Sequence, residues 1–291
     1  MKKNLRFAVL PKVEHPWFNE VKRGAQAQAS LLAQQLGVEV TVDYRAPIEA
    51  SVAAQRHILA ELAASIPDGL AIDPVEPIDR MPLIAQIQRR GTPLVLFDSP
   101  SPQPGITSIG NDFRRQGSIA AEQLISLLGG RGKVAVMRGF PSAPNHQQRY
   151  EAQCAALGKH PGITLIDGGV DNDDIETARQ QATQVLQAHA DLAGYLCCDA
   201  AGPIGIAQAL RQSGRAGSVR FVAMDGIKPI LEAIKEGVID ASSASDPFLQ
   251  GAMSVLLLWH GTLGLRAPQA IDTGISLITR ENVDAFLSAC D

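Results

Sequence analysis

The chain reads as an α/β protein built from two doubly wound parallel-sheet lobes. Short apolar runs alternate with longer amphipathic runs almost from end to end, which is the pattern of repeated β-α units around a parallel sheet. The alternation restarts at Phe113, after a stretch rich in proline and serine, with the rhythm it had at the start. At 291 residues the chain exceeds the size that one core serves well, so two lobes with a core each are expected.

In order, Phe7–Leu10 is expected as strand, Phe18–Leu36 as helix ended by Gly37, and Val38–Val42 as strand. Ile48–Ala64 is a helix closed by Pro67, Leu70–Ile72 a strand, Ile78–Arg90 a helix closed by Gly91, and Leu94–Phe97 a strand. Glycine takes the left-handed cap and proline cannot continue the hydrogen-bond ladder, so both mark helix ends. The alternate prolines of Ser99-Pro100-Ser101-Pro102-Gln103-Pro104-Gly105 make a stiff extended connection, suited to the approach to a domain crossing. A short strand, Thr107–Ile109, follows.

The second series runs Phe113–Leu128 helix, Val134–Met137 strand, Asn145–Leu157 helix, Thr164–Ile166 strand and Thr177–Ala188 helix. It continues as Tyr195–Cys198 strand, Pro203–Ser213 helix, Phe221–Met224 strand, Pro229–Glu236 helix and Ile239–Ser243 strand. Phe248–Leu263 is a strongly apolar helix, and only Ile271–Ile278 and a tail helix, Glu281–Leu287, follow it. Neither piece makes a third domain, so both complete lobes already begun and the chain crosses more than once. The expected division is 1–109 plus 246–273 and 110–245 plus 274–291. Several parallel crossings make a hinge, and a hinge places a cleft where the strand C-termini of the two lobes face each other.

Net charge −4 and a pI near 5.9 argue against a phosphate-backbone binder, and the 26 Lys and Arg form no run, so no nucleic-acid partner is expected. No stretch approaches the ~20 apolar residues of a membrane span. Met1-Lys2-Lys3 resembles a signal-peptide start, but Pro11 follows too soon for an h-region of about 7–15 residues. The chain is therefore expected to be cytosolic or the mature form of an exported protein. Cys154, Cys197, Cys198 and Cys290 show no metal or disulfide spacing, and Cys197-Cys198 is expected as a pair of reduced, buried strand thiols.

In an open parallel sheet ligands bind outside the carboxyl ends of the strands. There the sequence places Glu14-His15-Pro16-Trp17-Phe18, then Asp98 and Ser99, Arg149 in the helix after Arg138–Asn145, Asp199 after Cys198, Asp225, and Ser245-Asp246. With only 4% aromatic residues, the Trp17-Phe18 pair stands out. Such a set suits a small, hydroxyl-rich neutral ligand: carboxylates accept from hydroxyls, the arginine fork donates, and a ring covers an apolar C–H face. Plain structural roles exist beside these. Trp17 and Phe18 could form a hydrophobic staple, Asp199 and Asp225 could cap the following helices, and Asp98 could serve a turn. Arg149 lies early in a helix, where the dipole disfavours a cation, which favours an ionic or ligand role.

Enzyme signatures are missing. Gly129-Gly130-Arg131-Gly132-Lys133 leads into a strand and is no phosphate loop, and there is no G-x-G-x-x-G after the first strand, no H-E-x-x-H and no G-x-S-x-G. No cofactor or metal is expected.

Pro16-Trp17-Phe18, Val21-Lys22-Arg23-Gly24-Ala25, Val95-Leu96-Phe97-Asp98, Ile109-Gly110-Asn111-Asp112, the Arg149 helix, Val222-Ala223-Met224-Asp225-Gly226 and Leu277-Ile278-Thr279-Arg280-Glu281-Asn282-Val283 together resemble the periplasmic sugar-binding proteins of the ribose-binding type, the receptors of bacterial sugar ABC importers. The resemblance spans nearly the whole chain. It implies two Rossmann-like lobes joined by a three-strand hinge, the type I periplasmic binding protein fold. It implies a monomeric, periplasmic, non-enzymatic receptor that closes on a small sugar or polyol and presents it to a membrane permease. Position by position it implies that His15, Trp17, Phe18, Asp98, Arg149, Asp225 and Ser245 face the ligand. Ser99, Cys198 and His15 stand where the family carries Arg, Asn and Asn, and a Gln is missing near Ser245, which points away from ribose itself. The same lobes form the effector domain of lac-repressor-type regulators, which carry a helix-turn-helix ahead of the first strand. That domain and a sugar-processing enzyme are the alternative readings.

Overall fold

The computed structural model describes residues 4–101 and 103–290; Met1-Lys2-Lys3 and Pro102 lie outside the described residues. The chain divides into two compact units. One runs up to Asn111 and includes Ser142–Pro144 and Asp246–Gly274; the other comprises Asp112–Pro141, Asn145–Ser245 and the residues from Ile275 on.

The first unit opens with β1 (Asn4–Leu10), α1 (Pro16–Leu36), β2 (Glu39–Tyr44), α2 (Val52–Ser65), β3 (Gly69–Ile72), a 3-10 turn at Ile78–Arg80, α3 (Pro82–Arg89), β4 (Leu94–Phe97) and β5 (Thr107–Gly110). The second carries α4 (Phe113–Leu128), β6 (Arg131–Arg138), α5 (Pro144–Leu157), β7 (Gly162–Val170), α6 (Ile175–Ala188), β8 (Leu192–Leu196), α7 (Gly202–Gln212), β9 (Arg220–Met224), α8 (Lys228–Glu236) and β10 (Ala241–Ala244). The chain then returns to the first unit for α9 (Pro247–Thr262) and β11 (Ala270–Asp272), and ends in the second with β12 (Ser276–Thr279) and α10 (Val283–Cys290).

Each unit holds a six-stranded sheet, in the orders β11-β5-β4-β3-β1-β2 and β12-β10-β9-β8-β6-β7. All pairings are parallel except β10 with β12. The order 2-1-3-4-5 therefore occurs twice, and it puts a topological switch point at β1/β3 in one unit and at β6/β8 in the other. Central strands β3 and β4 are buried along their whole length, as a sheet covered on both faces requires, whereas the edge strands β2 and β7 alternate. One core gathers Leu10, Leu59, Leu70, Ile72, Ile84 and Leu96; the other gathers Leu124, Val134, Val136, Leu196, Val222 and Met224.

Helices α1 and α9 pack backbone to backbone in the first unit. A methyl on Gly24 would overlap the carbonyl of Phe248, and one on Gly251 would overlap that of Val21, so both positions need the absence of a Cβ.

Several expected elements differ in their bounds. The helix expected from Ile48 begins at Val52, because the Ser51 hydroxyl accepts from Ala54 N and caps it; Ile48 is 91% exposed outside it. The helix expected over Ile78–Arg90 breaks at Met81, held at φ −110° and ψ 87° by the proline after it. The strand expected over Tyr195–Cys198 ends at Leu196, leaving both cysteines in the loop beyond it. Ile271–Ile278, given no element in the sequence reading, is divided as the expected lobe boundary divides it. It splits around Gly274, at φ 85°, into β11 and β12, which serve different sheets.

Candidate functional site

In the first unit, the ends of β1, β3 and β4 bring Lys12, Asp73 and Asp98 together. Lys12 Nζ lies 2.8 Å from the Asp73 carboxylate and 3.8 Å from that of Asp98, and all three are buried. A buried ammonium is tolerated only when paired, and here two carboxylates share it. Gln55 fixes the geometry from α2: its Nε2 donates to the carbonyls of Pro11 (3.0 Å) and Asp73 (2.7 Å), and its Oε1 accepts from Val75 N. The two loops flanking the switch point are thus tied through one side chain. Phe18 lies beneath, its ring centre 5.6 Å from Lys12 Nζ and edge-on to Phe97 and Trp17.

Asp98 stands in the left-handed region, at φ 43°, where a side chain costs energy unless the surroundings hold it. They do: Asp98 N donates to Ile109 O and to Gln250 Oε1, both at 2.9 Å. Trp17 Nε1, Ser99 Oγ and Gln250 Nε2, like Tyr44 Oη and Trp259 Nε1 elsewhere in this unit, are buried without a hydrogen-bond partner among the described residues. Buried donors are nearly always satisfied, so each of these calls for a partner beyond the protein.

In the second unit, Arg149 of α5 is 1% exposed. Its Nε donates to Gln116 Oε1 at 2.8 Å and its guanidinium carbon stands 5.0 Å over the Phe113 ring. Asp225 follows β9 at φ 69°, the counterpart of Asp98 in backbone conformation. Its N donates to Ser243 O, its carbonyl accepts from Ser242 Oγ, and its carboxylate accepts from Ser245 Oγ at 2.7 Å. Asp225 does not cap α8, whose N-cap is Ile227.

Beside β6/β8, Gly139 N donates to Cys198 Sγ at 3.1 Å. Burial, reinforced by the nearby Asp199 carboxylate, pushes the thiols of Cys197 and Cys198 well up, so both are neutral and unreactive. Asp199 Oδ1 accepts from Gly202 N (2.7 Å) just before α7, whose N-cap is Ala201, while Asp171 accepts from Asp173 N. The Asp171 and Asp199 carboxyls also meet each other without a cation. Two carboxylates cannot bond unless one is protonated; burial raises both, joined by the Asp173 charge for Asp199, which reaches about 6, and by the Asp199 charge for Asp171. The pair shares a proton. Among the described residues no set of three or more His, Cys, Asp or Glu side chains is arranged to hold a metal ion.

Of the residues singled out in the sequence, His15, Trp17, Phe18, Asp98 and Ser99 fall in the first unit and Arg149, Cys198, Asp225 and Ser245 in the second. Trp17 and Phe18, expected outside a core, are both buried. His15 is the N-cap of α1, its Nδ1 accepting from Trp17 N. Sequence reasoning missed Lys12, Asp73, Gln55, Gln116 and the Asp171–Asp199 pair. A lysine directly after an apolar strand was a usable signal for Lys12; the glutamines had none.

A family profile described as "Periplasmic binding protein domain" matches residues 7–261. The D-allose-binding periplasmic protein of Escherichia coli (strain K12) is 24% identical over 259 residues, which cover 86% of this chain and 82% of that protein. The D-ribose/D-allose-binding protein of Pseudomonas aeruginosa is 26% identical over 79% of this chain and 76% of its own. The crystal structure of an ABC transporter solute binding protein from Burkholderia graminis in complex with D-arabinose superposes with a TM-score of 0.89 at 26% identity, over 97% of both chains. All three relatives are described as binding proteins for solutes. With the profile spanning most of its length and the doubly wound fold in both units, the chain belongs to the periplasmic binding protein family.

Proposed function

We propose that the protein is a non-catalytic receptor for one small neutral sugar or polyol, which engages the strand-end residues of both units and is handed to an ABC importer permease. Asp98, Ser99, Trp17, Phe18 and Lys12 would contact it from one unit, and Arg149, Asp225, Ser245 and Cys198 from the other. The observation that carries this is the shared treatment of Asp98 and Asp225. Each is a buried aspartate at a strand end, held at positive φ by backbone hydrogen bonds and placed near a single buried cation or its network. Strain of that kind is kept where a side chain must point at something. The buried carboxylates outnumber Lys12 and Arg149, so an anionic ligand would add uncompensated charge, whereas hydroxyls satisfy carboxylates without it. The D-allose, D-ribose and D-arabinose named for the relatives fit that chemistry.

A receptor of this kind works in the periplasm as a monomer, and its ligand stabilises a closed form by contacts that exist only there. A thermal-shift screen tests the reading with D-allose, D-ribose, D-arabinose, xylitol, myo-inositol and, as the charged control, ribose 5-phosphate. A ligand at a hundred times its Kd stabilises the native state by about 2.7 kcal/mol. A neutral compound is expected to raise Tm by several degrees and to lower the radius of gyration in solution scattering. A response to the phosphate alone would overturn the neutral-ligand reading, and a rise in Tm with an unchanged scattering profile would overturn the closure.

A further inference from the structure

We infer that Gln116 is the positioning residue that sets Arg149 in register with Asp225, an inference that rests on the reading of those two as ligand residues. Gln116 lies on α4, wholly buried, and touches both halves of the arrangement. Its Oε1 takes the Arg149 Nε–H at 2.8 Å, and its Nε2 donates to Ser243 O at 3.0 Å. Ser243 returns the bond, its Oγ donating to the Gln116 carbonyl at 3.0 Å. The same Ser243 carbonyl also accepts from Asp225 N. One amide side chain therefore joins the arginine of α5 to the loop that holds Asp225 at φ 69°.

The chemistry requires an amide there. The position must accept from a guanidinium on one side and donate to a carbonyl on the other, and a side-chain carboxamide does both at once. A carboxylate would face the Ser243 carbonyl with no proton to give, and a lysine would face Arg149 Nε with no lone pair. The Phe113 ring under the guanidinium and the Nε bond together fix the tilt and rotation of its plane. An arginine held in this way loses little freedom when it binds a hydroxyl, which is how preorganisation raises affinity.

The test is a double-mutant cycle on the whole chain, with titration calorimetry against the panel compound that raises Tm most and NMR of the Arg149 Nε–H. Gln116→Met is expected to weaken binding about tenfold or more, and to speed exchange of the Arg149 Nε–H. Gln116→Asn, one methylene short of spanning both partners, is expected to do the same and serves if the first variant folds poorly. In an Arg149→Lys background the Gln116 change is expected to alter affinity by less than about twofold, since its effect runs through the guanidinium. Equal losses in both backgrounds, or parental affinity and parental Nε–H exchange in the Gln116 variants, would overturn the inference. Parental affinity in Arg149→Lys itself would instead overturn the assignment of Arg149 to the ligand. The exchange measurement needs no ligand, so it discriminates even where no panel compound binds.

Discussion

Lys12 Nζ stands 2.8 Å from the Asp73 carboxylate, at the point in the first sheet where the strand order reverses between β1 and β3. The ammonium is buried, with Asp98 as its second carboxylate at 3.8 Å. Removing it leaves Asp73 and Asp98 facing each other without the charge between them. Breaking a buried pair from one side costs about 3–5 kcal/mol. Lys12→Met is therefore expected to lower unfolding stability in denaturant by that order, and Lys12→Met with Asp73→Asn to recover most of it. A single variant within about 1 kcal/mol of the parent would show that the pair does not hold this loop.

Trp17 is 2% exposed, so Trp17→Ala confuses a cavity with a lost contact. Trp17→Phe separates them, because it keeps the ring in place and removes Nε1, the buried donor without an acceptor among the described residues. The expected result is a melting temperature within about 2 °C of the parent and ligand affinity lowered about tenfold, the cost of one hydrogen bond to a ligand oxygen. A matching fall in both would assign the indole to packing alone.

How much of this the chain discloses in advance follows from what carries a local signal. Asp98 and Asp225 were legible because each ends an apolar run; a cap for the following helix was open for Asp225, and the structure gives that place to Ile227. Arg149 was legible as a cation on the wrong end of a helix dipole. Gln55 and Gln116 were not, since a buried amide on a helix looks like any surface glutamine until the loops it bridges are in place. Asp199 read as a cap of α7, whose N-cap is Ala201; it accepts from Gly202 N, and its contact with Asp171 joins two loops that are distant in sequence. Ile271–Ile278 was legible as a crossing, since the expected division between 273 and 274 parts its two halves, which do belong to different sheets.

The Asp171–Asp199 pair makes stability depend on pH. Folding raises both carboxyls, so their contribution is fully present below the unfolded value of about 4 and is lost as pH rises through the raised folded values, about 6 for Asp199. Asp171→Asn supplies a permanent N–H in place of the shared proton and keeps the oxygen that accepts from Asp173 N. Between pH 5 and pH 8 the parent is expected to lose several degrees of Tm relative to this variant, which ends the more stable of the two at pH 8. Parallel Tm profiles would show that the pair holds no proton.

The central claim is that the chain binds a small neutral sugar or polyol and releases it unchanged. Titration calorimetry against the same panel, followed by NMR of the recovered compound, tests it most directly. The account predicts saturable one-to-one binding of at least one neutral compound, recovered intact after prolonged incubation. Heat from none of them, or recovery of an altered product, would contradict it.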